Sequence, residues 1–295
     1  MFVGIQVWKG DKATVPPRIL KNRSIAGCAV FIACLGGSFF ALVCYNASSR
    51  LFFTLTFFEI YYIPIYFQAV QNVSAVESGI RNLPLVLTVT VFSVIAGGAT
   101  SAFGYYTPWI IASSVLISIG AGLISTWHPG VKSGHWIGYQ IIYGAGVGVG
   151  IQSEYLPGHP ATWAQLTYLP VPMMAVQAVL STTDIATGTA IIIFFQTFGG
   201  ALFIAVAENV FLNKIYSNMA VYAPGFSADV VATTGATSLH KVVPPEYIQG
   251  VVQAYSASLD QTFYVAVAMA VLSLAGAVVV EWKSVKGRGI EMGGA

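Results

Sequence analysis

Long apolar runs, separated by short polar turns, dominate the pattern along this 295-residue chain. Runs of near-spanning length occur at about 26–45, 51–70, 83–102, 108–127, 134–152, 185–207 and 262–280. An α-helix needs roughly 20 such residues to cross the hydrocarbon core of a bilayer. The pattern therefore predicts an all-α, polytopic transmembrane helix bundle.

The polar intervals carry the topology. Residues 1–24 hold Lys9, Lys12, Arg18, Lys21 and Arg23 against Asp11 alone, and Pro16-Pro17 interrupts any helix there. The segment 282–295 holds Lys283, Lys286 and Arg288. Basic excess beside the first and last runs assigns both to the cytoplasmic side. Two ends on one side require an even number of crossings, yet seven runs are present. The run at 51–70 is the weakest, broken by Glu59 and Pro64 and flanked by Arg50, with each charge costing about 3 kcal/mol near a membrane centre. Without it, six core spans remain. The expected organisation is a cytoplasmic basic segment at 1–24, helices over 25–207, an extramembrane loop at 208–261, a last span at 262–281 and a cytoplasmic tail at 282–295. Pro224 and Pro244-Pro245 interrupt that loop, which reads as a surface excursion with short amphipathic pieces.

Composition agrees with the pattern. Hydrophobic residues make up 56% and charged residues 8% of the chain, whereas soluble domains carry roughly 25% charged residues. The net charge of +2 gives no sign of a nucleic-acid partner. Cys28, Cys34 and Cys44 lack companion ligands and read as small helix-packing residues. No phosphate loop, dinucleotide fingerprint or metal-ligand cluster is present, and the four histidines are scattered, so no cofactor and no soluble catalysis is expected.

Gly144, Gly146, Gly148 and Gly150 alternate with small residues, which in water would cost on the order of 1 kcal/mol each against alanine. In a bilayer the backbone must satisfy itself, so helix is enforced. The pairs Gly144/Gly148 and Gly146/Gly150 then form two smooth faces for close helix packing. This helix is expected to end near Gln152, because 153–171 brings Pro157, Pro160 and Pro170 together with Glu154 and His159.

Several stretches together resemble the carboxyl half of fungal major facilitator superfamily transporters of the fourteen-span drug:proton antiporter type. They are Glu77-Ser78-Gly79-Ile80-Arg81-Asn82-Leu83-Pro84-Leu85, the glycine run ending in Gly150-Ile151-Gln152, Ala175 to Leu180, Asp184 to Ala190 and Phe194 to Gly200. The resemblance covers nearly the whole chain. It implies a carrier whose two six-helix halves rock about a central site, in the plasma membrane or the vacuolar membrane. It also implies proton-coupled export of hydrophobic small molecules such as drugs, toxins or secondary metabolites. The sequence corresponds to the last six spans, so the partners expected are the lipid bilayer, a hydrophobic substrate, protons and a missing amino-terminal half. The alternative is a truncated membrane protein that does not transport, or a half-transporter needing its partner. In the family pattern, residues like Phe40–Val43 run directly into Tyr61–Gln68, and Gly150–Gln152 runs into Pro172–Met174. The pieces at about 44–60 and 153–171 therefore read as insertions, for which introns translated in frame are one account.

The candidate chemistry is sparse. Gln68, Gln152, Gln177 and Gln196 are polar residues in apolar helices, suited to substrate contact or to interhelical hydrogen bonds. Tyr62, Tyr66 and Phe195, among neighbouring aromatics, could line a hydrophobic cavity or simply pack. Asp184 is either a proton-coupling or gating carboxylate or a helix cap. Glu77 and Arg81, four apart, form a helical ion pair or part of a gate. Asn46 and Asn72 stand in glycosylation sequons.

Overall fold

The computed structural model describes residues 16–43, 62–154 and 167–283, with only the backbone of 152–154 and 167–170. After the short helix α1, Pro17–Leu20, the helices are α2, Arg23–Val43; α3, Tyr62–Ile65; α4, Ala75–Arg81; α5, Leu83–Phe103; α6, Thr107–Ile124; and α7, Ser133–Gly150. Then come α8, Val171–Val179; α9, Thr182–Tyr222; α10, Ala228–Thr233; α11, Leu239–Val242; and α12, Pro245–Val279. A π-helical turn, Tyr66–Val70, continues α3. Two short strands, β1 at Ile151–Glu154 and β2 at Thr167–Pro170, pair antiparallel and form the described exception to an all-helical fold.

Two groups of three long helices make up the bundle. In one, α2, α9 and α12 all pack on each other; in the other, α7 lies between α5 and α6. Contact between α6 and α12 joins the groups. Five described segments are long and apolar enough to cross a membrane: α2, α4 with α5, α6, α9 and α12. The most apolar stretch of α2 is 72% buried, against 28% for the most apolar stretches of α4 with α5 and of α9. Hence α2 is the central post, while α5 and α9 present Val91, Val94, Ile95, Phe194, Phe198 and Leu202 outward, as a bilayer solvent permits.

The sixth crossing is interrupted. Thr107, at the start of α6, donates to the Glu281 carbonyl at 3.0 Å, so α6 begins at the end of the bundle where α12 stops. Gly150, where α7 ends, lies against Ser113, six residues into α6 and roughly 9 Å from that end by helical rise. The chain then leaves through β1, returns through β2 with Ile151 opposite Pro170, and α8 resumes. The helix thus stops at Gly150, close to the expected end. The pieces expected as insertions fall largely on 44–61 and 155–166, outside the described residues, as does Asn46.

One expectation is corrected. Residues 208–222 and 245–261, read as loop, belong to α9 and α12. At 41 residues, α9 is roughly 60 Å long, about twice the hydrocarbon thickness. Its polar residues are satisfied locally, with Asn209 and Asn213 donating to carbonyls one turn back at 2.8 Å. Its buried stripe, Ala207, Phe211, Ile215 and Met219, recurs every four residues. The stripe packs towards α12, where the Phe211 and Tyr255 rings are 5.1 Å apart. Burial of this continuous stripe outweighs the polar composition from which a loop was inferred.

Candidate substrate cavity

A cavity of about 710 Å³ opens at the end of the bundle remote from Glu281. Aromatic side chains form one wall, Tyr62 from α3, Phe211 from α9 and Tyr255 from α12, and the Tyr62 and Phe211 rings lie 6.0 Å apart. Gln68, Ser78 and Asn82 supply polar groups, Glu208 stands exposed at its edge, and 232–237 runs along one side. Among the described residues the lining contains this one acid and no base.

Gln68 is positioned by two bonds. Its Nε2 donates to Ser78 Oγ at 2.8 Å, and Thr237 Oγ1 donates to its Oε1 at 3.3 Å. His240 Nε2 donates to the Ala69 carbonyl at 2.8 Å, which ties the segment after α10 to the π-turn. A π-turn spreads five residues over one turn, a device frequent at functional sites. Here it sends Gln68 to the cavity and Tyr66 and Phe67 into the core. Asn82 is buried, and its Oδ1 has no hydrogen-bond partner among the described residues.

Of the expected cavity residues, Tyr62 and Gln68 line this space. Tyr66 does not: its hydroxyl donates to the His128 carbonyl at 2.7 Å and its ring lies 5.0 Å from Trp127. Gln177 on α8, and Gln196 and Phe195 on α9, are half-buried away from it. Gln152 stands in β1, and its side chain lies outside the described residues.

Arg81 forms a second cluster beside the cavity. Its Nε donates to Glu77 Oε1 at 3.1 Å and its Nη1 to Gln71 Oε1. Its guanidinium lies 5.7 Å from the Phe67 ring centroid and 5.9 Å from that of Trp136. The flat, weakly hydrated guanidinium suits such stacking better than an ammonium would. Gln140 Nε2 bonds the Arg81 carbonyl at 3.0 Å, linking α4 to α7. The Glu77–Arg81 pair therefore sits inside a helix-to-helix junction.

Asp184 lies at the opposite end. Ser181 is the N-cap residue of α9, and Asp184 stands in its first turn. Arg18 grips both carboxylate oxygens, at 2.8 and 3.0 Å, and Ser181 Oγ donates at 3.0 Å. Asp184 is therefore the partner of a forked ion pair that holds α1 to α9. A negative charge there also suits the positive end of the helix.

The glycines of α7 face two neighbours. A Cβ at Gly144 would stand 2.8 Å from the Leu85 carbonyl oxygen of α5, and one at Gly146 would be 2.5 Å from the Ile117 nitrogen of α6. Gly148 also meets α5, while Gly150 meets Leu35 and Ser113. Asn72 is exposed and holds a left-handed φ of 53°, a conformation asparagine tolerates. Sequence reasoning overlooked Phe211, Tyr255 and 232–237, because all lie in the stretch read as loop. The stripe from Ala207 to Met219 was the signal that could have found them.

No family model matches the chain. It is 44% identical over 287 residues to the MFS-type transporter astH of Aspergillus oryzae, covering 97% of this chain and 45% of that protein. The MFS-type efflux pump MFS1 of Trichophyton rubrum is 45% identical over 290 residues, covering 98% of this chain and 48% of the pump. Efflux pump roqT of Penicillium rubens is 42% identical over 285 residues, 97% of this chain and 46% of the pump. The chain belongs to the major facilitator superfamily. It spans about half the length of the curated relatives it matches, and it is a multi-pass membrane protein.

Proposed function

We propose that this chain is one helical half of an exporter that moves hydrophobic small molecules, such as drugs, toxins or secondary metabolites, across a membrane in exchange for protons. The observation that carries this reading is the 42–45% identity to MFS-type transporters and efflux pumps along 97–98% of the chain. The cavity supports it, since aromatic walls with a few neutral polar groups suit amphipathic organic molecules. No enzymatic chemistry belongs to this reading. The plasma membrane is the proposed location, with the vacuolar membrane as the alternative.

A second reading is favoured by one observation: the chain spans 45–48% of these relatives. A carrier of this kind alternates about a site between two halves. On its own the chain would then insert without transporting, and would work when paired with an amino-terminal half. Both readings are tested in liposomes carrying a fluorescent hydrophobic dye and a pH gradient. The expected result is no dye movement with the purified chain alone, and proton-dependent movement when a six-span amino-terminal half is added. Robust movement by the chain alone would remove the need for a partner. No movement in either arm would overturn the transport reading.

A further inference from the structure

The carboxylates considered so far are either held or exposed. Asp184 lies in the Arg18 fork, Glu77 bonds Arg81, and Glu208 stands exposed at the cavity edge. Asp260, on α12, differs from all three. It is half-buried, and its Oδ1 is shut off from solvent without a hydrogen-bond partner among the described residues. Asp260 precedes Glu281 by 21 residues, about 30 Å of helix, so it lies at the same end of the bundle as the cavity.

Aromatic rings pack one turn further along α12. Trp127 packs 5.0 Å from Tyr66, 5.6 Å from Phe67 and 6.3 Å from Phe263, one turn beyond Asp260 on α12. Two titratable groups lie close enough to Asp260 to interact electrostatically: Tyr66, from the π-turn, and His128, from the segment after α6. Among the described residues, the other packed elements add no free charge. From α9, Asn218 bonds Ser258 at 2.9 Å, and the nearby Lys214 is exposed. On α2 the one charged residue, Arg23, is held by Glu281 at the far end, and α6 contains none.

We propose that Asp260 is a proton-binding site linked to the cavity through the π-turn. A hydronium ion at this end of the bundle is the donor: its O–H bond breaks, an O–H bond forms on the carboxyl group, water is released and the carboxylate charge is removed. An ionised carboxylate with an unpaired buried oxygen is costly, whereas the neutral acid can remain there and donate. The π-turn couples the two sites, because it packs on α12, which carries Asp260, while its Gln68 faces the cavity. This site gives the exchange reading above a specific titrating group, and as the source of coupling it rests on that reading.

The test is pH-difference infrared spectroscopy of the full chain in lipid nanodiscs, read at the C=O stretch of a protonated carboxylic acid. The wild-type chain is expected to gain such a band on acidification, D260N to lose it, and D184N to keep it, with helicity by circular dichroism unchanged. H128Q provides a second arm that survives any folding failure of D260N. The imidazole interacts electrostatically with the carboxyl group, so replacing it by a neutral amide is expected to move the band's midpoint by about half a unit or more. A band that persists in folded D260N, or a midpoint unmoved in H128Q, overturns the site. Proton-dependent transport without an Asp260 band would sink this inference and leave the function standing. A band without transport would do the reverse.

Discussion

Arg23 and Glu281 stand 258 positions apart in the chain, yet the Arg23 Nε donates to Glu281 Oε1 at 2.5 Å. Lys283 Nζ meets the other oxygen at 2.7 Å, and the Glu281 carbonyl accepts from Tyr106 at 3.1 Å and Thr107 at 3.0 Å. One residue therefore gathers the start of α2, the start of α6 and the end of α12. It also holds the start of the first long helix and the end of the last at the same end of the bundle.

This clasp is acid-sensitive. Hydrogen bonding from Lys283, and then from Arg23, holds the Glu281 carboxyl below its ordinary value. A depressed folded-state value gives a contribution that is complete above the unfolded value, roughly 4.3, and is lost as pH falls through the folded value. Wild-type thermal stability in detergent is expected to fall on acidification, and E281Q to be less stable at neutral pH and to lack the Glu281 part of that fall. Identical pH profiles for the two proteins would show that the clasp does not matter.

Close packing at the glycines makes a sharper prediction. G144L and G148L must displace the α5 backbone, because even a Cβ at Gly144 would lie 2.8 Å from the Leu85 oxygen. Each is expected to cost about 1–3 kcal/mol, read as a lowered unfolding midpoint. G138A meets nothing within 4 Å and should be neutral or slightly stabilising.

At Arg81 the prediction concerns shape rather than charge. R81K keeps the cation but loses the planar fork between Phe67 and Trp136. The expected loss is about 1–2 kcal/mol, accompanied by a changed tryptophan emission. Emission and stability equal to wild type would show the stacking to be incidental.

The interrupted crossing predicts tolerance to deletion. Since Ile151 and Pro170 are partners across the β1–β2 ribbon, the chain leaves and returns at one point. Removal of 153–171, joining Gln152 to Pro172, is expected to preserve helicity and to leave the unfolding midpoint equal or higher. Transcripts spliced across 44–60 and 153–171 would support the translated-intron account, whereas continuous spliced coverage through either piece would refute it.

Much of this architecture is legible in the chain itself. Spans of about 20 apolar residues need no tertiary partner to be recognised, because the bilayer enforces helix wherever the run is long enough. The glycines of α7 were likewise legible as packing faces, since spacing by four places residues on one side of a helix. The stretch from Glu208 to Gln261 was not. Its mixed charge and its prolines read as loop, and only the opposed stripes of α9 and α12 reveal that both helices continue.

By itself, then, the sequence determined the class of the molecule and its family, because hydropathy and local motifs act over one helix at a time. Tertiary structure alone decided which polar side chains meet. Gln68 and Tyr66 stand two residues apart, yet the π-turn sends one to the cavity and the other to the Trp127 nest. Arg18 and Asp184, 166 positions apart, become a forked ion pair. Such encounters depend on how six helices rotate and register against each other. That is fixed by the summed packing of all their faces, and no single stretch of sequence contains it.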